Sequence, residues 1–118
     1  MIYIENIASN VISIKAPKKI KYGDFQQIAP DIDKLIEKHG SIRLLVDGRE
    51  FRGWDGFNAF RQHIGFVLNH QKYVEKIAVI TGYIWQRWLI GVMRVFLHPI
   101  IMPFDKKHEK EARKWIIG

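Results

Sequence analysis

An unbroken apolar run, Ile77-Ala78-Val79-Ile80, lies between Lys76 and Thr81-Gly82. A strand with one face in water alternates apolar and polar residues, whereas this run is apolar on both sides, which is typical of a parallel strand buried on both faces. Parallel neighbours must be joined by a crossover connection, and that connection is usually a helix. The run therefore predicts an α/β fold.

Other strands are predicted from shorter patterns. Period-two alternation over Ile2–Glu5 and over Val11–Ala16, separated by the turn residues Ala8-Ser9-Asn10, predicts an antiparallel hairpin. Ile42–Asp47 reads as a central strand. Ile100–Met102 predicts a short last strand that Pro103 ends.

Four segments have apolar residues at helical spacing. We expect the first helix to be capped by Asp24 and to stop at Gly40, with Pro30 either tolerated or producing a kink. The remaining three are a helix from Phe57 to Leu68 capped by Asp55, a helix over Tyr83–Leu97, and a last helix capped by Asp105 that buries Ala112, Trp115 and Ile116.

The element order is therefore β-β-α-β-α-β-α-β-α. This order predicts a mostly parallel open sheet of about five strands, with an antiparallel edge strand and about four helices. Nothing in residues 1–118 resembles a linker, so we expect a single domain.

Composition narrows the classes of function. The chain has no cysteine, which excludes disulfides, thiolate metal sites and a cysteine nucleophile, and fits a cytoplasmic protein. No signal peptide or apolar stretch of bilayer length is present. The net charge of +7 is consistent with an anionic partner, and equally with a basic surface that only keeps the protein soluble. The charge is unevenly distributed, since no carboxylate occurs between Lys76 and Phe104.

One candidate for chemistry is a polar site at the end of the central strand. Polar side chains that would gather at the carboxyl end of the central strand, where open α/β sheets often bind ligands, are Asp47, Arg49, Glu50, Arg52, Asp55 and His63. No phosphate loop or nucleophile–base pair accompanies them, so ion pairing and helix capping explain them better. We retain Asp47, Arg49, Trp54 and Asp55 as polar loop candidates.

The sequence has no motif typical of a metal site or of a nucleic-acid-binding site. His63 and His70 lie seven residues apart, which is not the spacing of a close metal pair, and we expect no metal ion and no cofactor. No RRM, KH or helix-turn-helix signature is present, so we expect no nucleic-acid partner.

The Tyr83–Leu97 helix gives the strongest positive signal. Placing successive residues 100° apart gives a broad face that we expect to pack on the sheet, formed by Ile84, Trp85, Trp88, Leu89, Val92, Val95 and Phe96. The opposite arc mixes Gln86, Arg87 and Arg94 with Ile90, Met93 and Leu97, although a water-facing arc should be polar.

Three explanations of the mixed arc remain open. The last helix or a second subunit covers it, or it lines an apolar ligand cavity, or it meets a membrane. In the third case Arg87 and Arg94 contact lipid phosphates while Ile90, Met93 and Leu97 dip below them. The candidate ligand- or membrane-binding residues are Trp85, Arg87, Trp88, Ile90, Met93, Arg94 and Leu97.

The chain resembles the bacterial SpoIIAA-like proteins, which are relatives of the STAS domains. The resemblance rests on Leu44-Leu45-Val46-Asp47, Phe51-x-Gly53-Trp54-Asp55, Ile77-Ala78-Val79, Trp85 and Trp88, Phe104-Asp105 and Ala112-x-x-Trp115. It implies a (β/α) superhelical fold that is shared with regulatory binding domains and with lipid-carrying CRAL-TRIO domains. It also implies membrane association or apolar ligand binding, which have been suggested for the family.

One departure from the anti-sigma-factor antagonists bears on regulation. Their phosphorylated Ser or Thr corresponds to the segment Gly53-Trp54-Asp55-Gly56, which has no hydroxyl group, so we expect no phosphorylation switch there. The expected function is a non-enzymatic binding or regulatory module, cytoplasmic or peripheral to a membrane, that binds a membrane surface or a lipid-like ligand. The alternative is a STAS-like interaction module acting as a homodimer or with a regulatory partner.

Overall fold

A five-stranded sheet organises the chain in the computed structural model, which describes residues 1–118. Its strands are β1 (Tyr3–Ala8), β2 (Val11–Lys15), β4 (Ile42–Gly48), β6 (Val74–Thr81) and β7 (Ile100–Asp105), in the spatial order β1-β2-β4-β6-β7. β1 is antiparallel to β2, and every other pair is parallel. The predicted mixed sheet with an antiparallel edge strand is confirmed.

The helices are α1 (Asp24–His39), α2 (Phe57–His70), α3 (Ile84–Phe96) and α4 (Glu109–Ile117). From β2 to β7 each new strand is added on the same side of its predecessor. Because crossovers between parallel strands are right-handed, this order places α1, α2 and α3 on one face of the sheet. α4 follows the last strand without a crossover and covers the other face.

Alternating side chains divide the core between these two faces. On the face of α1, α2 and α3, which we call the crossover face, Ile12, Ile32, Ile42 and Val74 form one buried cluster. On the opposite face, which we call the α4 face, the buried cluster consists of Val11, Leu45, Ala78, Ile80, Ala112 and Ile116. On β6, Ala78 and Ile80 are buried on the α4 face, whereas Ile77 and Val79 are only half-buried on the crossover face, so its apolar run is covered more completely on one side than on the other.

Two short strands were not predicted. β3 (Lys19–Ile20) and β5 (Gly53–Trp54) pair in parallel as a separate two-stranded sheet. Two residues are too few to show a periodicity, so no pattern marks them. Short 3₁₀ turns precede β6 (Gln71–Tyr73) and α4 (Lys106–His108).

The predicted N-caps at Asp24 and Asp55 are wrong. Gly23 and Gly56 occupy the N-cap positions. Asp24 is the first residue of α1, and its carboxylate accepts a hydrogen bond from the Lys21 amide at 2.8 Å. The Asp55 amide donates to the Ile20 carbonyl across the small sheet, so pairing with β3 holds Asp55 outside the helix.

Pro30 is tolerated, which was one of the two expected outcomes, whereas Pro103 and the last cap differ from expectation. Pro30 lies inside α1, which continues to His39. Pro103 lies within β7 rather than ending it. Because β7 is an edge strand, a proline whose nitrogen faces the open edge removes no hydrogen-bond donor from the sheet. The Asp105 carboxylate caps the 3₁₀ turn before α4 by accepting from the Lys106 amide at 2.9 Å. None of the helices has both the length and the apolar character needed to cross a bilayer.

Candidate functional site

α3 is rotated about its axis by roughly a third of a turn from the predicted orientation, at about 100° per residue. The side chains expected to pack on the sheet face solvent instead: Ile84 is 87% exposed, Val95 78% and Trp88 72%. Phe96, Val92 and Trp85 are exposed as well, and only Leu89 of the predicted inner face is half-buried. The predicted packing face is therefore wrong, and an apolar face of α3 meets water. We call Ile84, Trp85, Trp88, Val92, Val95 and Phe96 the outer face of α3.

The mixed arc points inward. Ile90, Met93 and Leu97 are half-buried toward the sheet, so their apolar character is explained by packing inside the molecule. α4 lies on the other face of the sheet and does not cover α3. Of the three explanations for the mixed arc, burial within the domain accounts for its apolar members, and the unexplained apolar surface is the outer face.

Gln86 determines this rotation. It is the one buried residue of α3, at 5% exposure. Its Nε2 donates to the carbonyl oxygens of Gly48 at 2.7 Å and of Phe51 at 2.8 Å, and its Oε1 accepts from the Gly82 amide at 2.8 Å. These bonds satisfy backbone groups in the corner between β4 and α3, so a polar residue lies at the centre of the inner face.

Gly82 completes the same corner. A Cβ at this position would overlap the carbonyl oxygen of Arg49, so the loop after β4 approaches the start of α3 more closely than any other residue allows. Arg52 Nε donates to the Tyr83 hydroxyl at 3.3 Å, and the rings of Phe51 and Trp85 lie 5.9 Å apart. The N-terminal end of α3 is thus held firmly while its outer face stays uncovered.

The two arginines of α3 have different surroundings. Arg94 Nε donates to the Ile101 carbonyl at 2.7 Å, so part of its guanidinium covers the open edge of β7. Arg87 is exposed and forms no hydrogen bond or ion pair. No side chain of the domain therefore neutralises the positive charge of Arg87 beside the outer face.

The polar loop candidates separate into two places. Asp47 and Arg49 meet on the α4 face: Arg49 Nη2 lies 2.7 Å from Asp47 Oδ2 and 3.1 Å from Glu109 Oε1. Burial raises the pKa of Asp47, but hydrogen bonds from the Arg49 side chain and amide outweigh it, so the net pKa lies below its ordinary value. This carboxylate stays ionised and paired.

Trp54 and Asp55 lie at the small sheet, on the side of the crossover face. Trp54 Nε1 donates to His63 Nδ1 at 2.9 Å, and the His63 ring stacks on Phe25 with centroids 4.5 Å apart. Desolvation among these rings lowers the pKa of His63 to about 4. His63 is therefore neutral near pH 7 and serves as an acceptor within an aromatic cluster, and the main sheet separates it from Asp47.

A profile of the SpoIIAA-like family matches residues 11–117. The chain belongs to the SpoIIAA-like family. A search among curated protein sequences gives no match. The family assignment made from sequence motifs is confirmed, and it spans both the loop after β4 and the whole of α3.

Solved structures agree with this SpoIIAA-like fold. An uncharacterized DUF3478-family protein from Shewanella loihica PV-4 is 25% identical, with a TM-score of 0.80 over 98% of this chain and 92% of its own. The unphosphorylated anti-sigma factor antagonist SpoIIAA is 14% identical, with a TM-score of 0.71 and coverage of 100% and 99%. The phosphorylated Bacillus cell fate determinant SpoIIAA is 12% identical, with a TM-score of 0.62 and coverage of 96% and 99%.

Gln86, the residue whose hydrogen bonds orient α3, was not identified from the sequence. Gln86 was placed on the water-facing arc because a polar residue at helical spacing normally faces solvent. A usable signal was present: glutamine three residues after the N-cap is the position from which a side chain turns back to the helix start. That position would have favoured an inward Gln86.

Proposed function

We propose that this SpoIIAA-like domain is a non-enzymatic binding module that associates reversibly with an anionic membrane surface through the outer face of α3. The observation that carries the proposal is the exposure of this face. Large apolar side chains that pack on nothing within the domain, such as Trp88, Val95 and Phe96, are typical of a surface that is covered by a partner.

The shape and charge of this surface favour a lipid partner. An interfacial helix lies in the membrane plane with aromatic and aliphatic residues buried to a depth of about 5–10 Å. Arg87, Arg94 and Arg52 lie beside or near the ends of the outer face, and no carboxylate occurs from residue 77 to 104. Each cation near an anionic leaflet contributes on the order of 1 kcal/mol.

A homodimer through the same face is less favourable. A stable interface buries roughly 800 Å² per partner, more than one exposed face of a 13-residue helix readily supplies. Two copies with a formal charge of +7 each would also repel one another. The likeness to an anti-sigma factor antagonist supports a STAS-like interaction module, with a regulatory partner in place of a lipid, as the alternative.

Vesicle sedimentation tests the proposal. We expect the protein to pellet with vesicles containing phosphatidylglycerol at low salt, to pellet less at high salt, and to stay in solution with neutral phosphatidylcholine vesicles. Trp88→Asp should abolish pelleting. Ile117→Asp is the matched control, because Ile117 is a 51% exposed residue of α4 on the other face.

Two outcomes would contradict membrane binding. The protein could remain in the supernatant with anionic vesicles at low salt, or Ile117→Asp could reduce pelleting as much as Trp88→Asp. Light scattering over a range of concentrations separates the alternative, since a homodimer that Trp88→Asp dissociates would assign the outer face to self-association.

An apolar ligand is a second candidate, favoured by incomplete packing beneath the helices. Leu44, Val46, Ile77 and Val79 lie on the crossover face of the two central strands, where full burial is normal, yet each is only half-buried. Palmitate titrated by calorimetry without vesicles should bind saturably, and Val79→Phe should weaken binding more than Val95→Phe. Absence of palmitate binding would reject this candidate.

A further inference from the structure

A second surface lies on the α4 face, away from α3. α4 packs over the central strands and over the Val11 end of β2. It leaves residues 3–5 and 13–15 of the hairpin uncovered on this side, where an open groove of about 380 Å³ lies between α4 and the hairpin. The buried side chains of Leu45 and Ile80, which are 1% and 2% exposed, form its floor. The volume lies within the range of small-molecule sites, and the groove lies toward the carboxyl ends of the parallel strands.

One wall of the groove is already held rigidly by ion pairs. Arg49 bridges the Asp47 carboxylate at 2.7 Å and the Glu109 carboxylate at 3.1 Å, and so ties the end of β4 to the first turn of α4. A bidentate arginine pair of this kind has a defined geometry. These three groups therefore shape the site and are satisfied without a ligand.

Four other polar side chains of the groove have no partner. Tyr3, Glu5, Ser13 and Arg113 line it, and none of their side chains forms a hydrogen bond or an ion pair within the domain. Strand register places Glu5 opposite Ser13 and Tyr3 opposite Lys15 on the hairpin, while Arg113 projects from α4 on the facing wall. A carboxylate and a guanidinium without a partner in the domain thus line the same groove, one on the hairpin and one on α4.

We propose that this groove binds a small zwitterion of the amino-acid class, with its carboxylate on Arg113 and its ammonium group on Glu5. Charge balance favours a zwitterion over a simple anion. The groove is lined by the cations Lys15, Arg49 and Arg113 and by the carboxylates Glu5, Asp47 and Glu109, so its formal charge is zero. An anion would meet repulsion from Glu5 and Glu109, whereas a zwitterion satisfies both unpartnered walls.

This site does not depend on membrane binding. The groove and the outer face of α3 lie on opposite sides of the sheet, so a protein attached to a surface through α3 would still present the groove to solvent. Ligand binding is therefore expected with or without vesicles, and its failure is distinguishable from failure of the proposed function.

A titration followed by ¹⁵N–¹H correlation spectra tests the proposal. We expect leucine, alanine or phenylalanine to produce saturable shifts at Ser13, Asp47 and Arg113 in the millimolar range. Leucinamide, which lacks the carboxylate, and 4-methylpentanoate, which lacks the ammonium group, should each bind about 10-fold more weakly, because each loses a charge-assisted hydrogen bond.

Variants locate the two charged contacts. Glu5→Gln and Arg113→Gln should each weaken binding about 10-fold, while Lys114→Gln, next to Arg113 in α4 but outside the groove, should leave it unchanged. The proposal is overturned if none of the three amino acids shifts groove resonances. It is equally overturned if leucinamide and 4-methylpentanoate bind as well as leucine, or if Lys114→Gln matches Arg113→Gln.

Discussion

At the scale of single residues, the hydrogen bonds of Gln86 connect the start of α3 to the loop after β4. A leucine of similar size would fill the space but would leave the Phe51 carbonyl oxygen and the Gly82 amide without their side-chain partner, and the Gly48 carbonyl oxygen would keep only its bond from the Phe51 amide. Removing one partner of a buried hydrogen bond costs the desolvation of the group left behind. Gln86 therefore contributes more to the free energy of unfolding than the size of its side chain suggests.

We predict that Gln86→Leu lowers the free energy of unfolding by about 2–3 kcal/mol. Urea denaturation followed by tryptophan fluorescence measures the change. Gln26→Leu, at an exposed position of α1, should change it by less than about 0.5 kcal/mol. Equal effects of the two substitutions would mean that the Gln86 bonds contribute nothing particular to stability.

His63 gives a pH dependence whose direction follows from its environment. Its pKa is about 4 in the folded protein and near 6.5 when unfolded, so only the unfolded state gains a proton as the pH falls between these values. Stability is fully present above pH 6.5 and is lost progressively down to about pH 4. The loss reaches on the order of 3 kcal/mol at the acidic end.

We predict that His63→Gln, which keeps a hydrogen-bond acceptor for Trp54, reduces this part of the acid sensitivity. Urea denaturation at pH 7.5 and pH 4.5 should show wild-type protein losing more stability than the variant. The carboxylates with lowered pKa, Asp47 and Glu75, contribute a similar acid loss to both proteins and so cancel in the comparison. Parallel losses in the two proteins would contradict the neutral state of His63.

At the scale of elements, the strands were easier to predict than the orientation of α3. Successive side chains on a strand point to opposite faces of the sheet. The apolar run of β6 and the alternation in β2 therefore each indicate which faces of the strand are buried. α3 has apolar residues around most of its circumference, so helical spacing gave two candidate inner faces. The choice depended on partners of Gln86 that lie 35 and 38 residues away.

The candidate site could be predicted only in part for the same reason. The resemblance to SpoIIAA-like proteins and the absence of carboxylates near α3 are local features of the sequence. The groove on the α4 face requires β1, β2 and α4 to meet, and these are separated by about ninety residues of chain. No local pattern records that Glu5 and Arg113 line the same groove.

The orientation of α3 is testable with two substitutions of the same kind. Val95→Ser should change the free energy of unfolding by less than about 0.5 kcal/mol, because Val95 is 78% exposed. Val11→Ser, at a 2% exposed position of β2, should cost about 2–3 kcal/mol. A cost at Val95 close to that at Val11 would show that the outer face is buried in the molecule in solution.

At the scale of the whole molecule, stability is distributed unevenly between the two faces of the sheet. The buried clusters involve α1 and α4, whereas the only buried side chain of α3 is that of Gln86. Regions with few buried apolar contacts open more readily than the core. The element with the largest unpartnered apolar surface is thus also the one held least by packing.

We predict that amides of α3 exchange hydrogen faster than those of β4 and β6, by at least about 10-fold in native-state exchange. Anionic vesicles should slow the exchange of α3 selectively, because binding orders the helix that it covers. Neutral vesicles provide the control. Exchange in α3 as slow as in β6 without vesicles would contradict the loose packing inferred for the helix.

The strand order has a consequence for how such a domain can change over evolutionary time. Strands from β2 to β7 are added in one direction, and α3 is the last of the three crossover helices. No further crossover helix packs beside α3 on its outer side. Its surface is therefore free to vary without disturbing the interior, and relatives with the same winding can acquire different external partners at this one position.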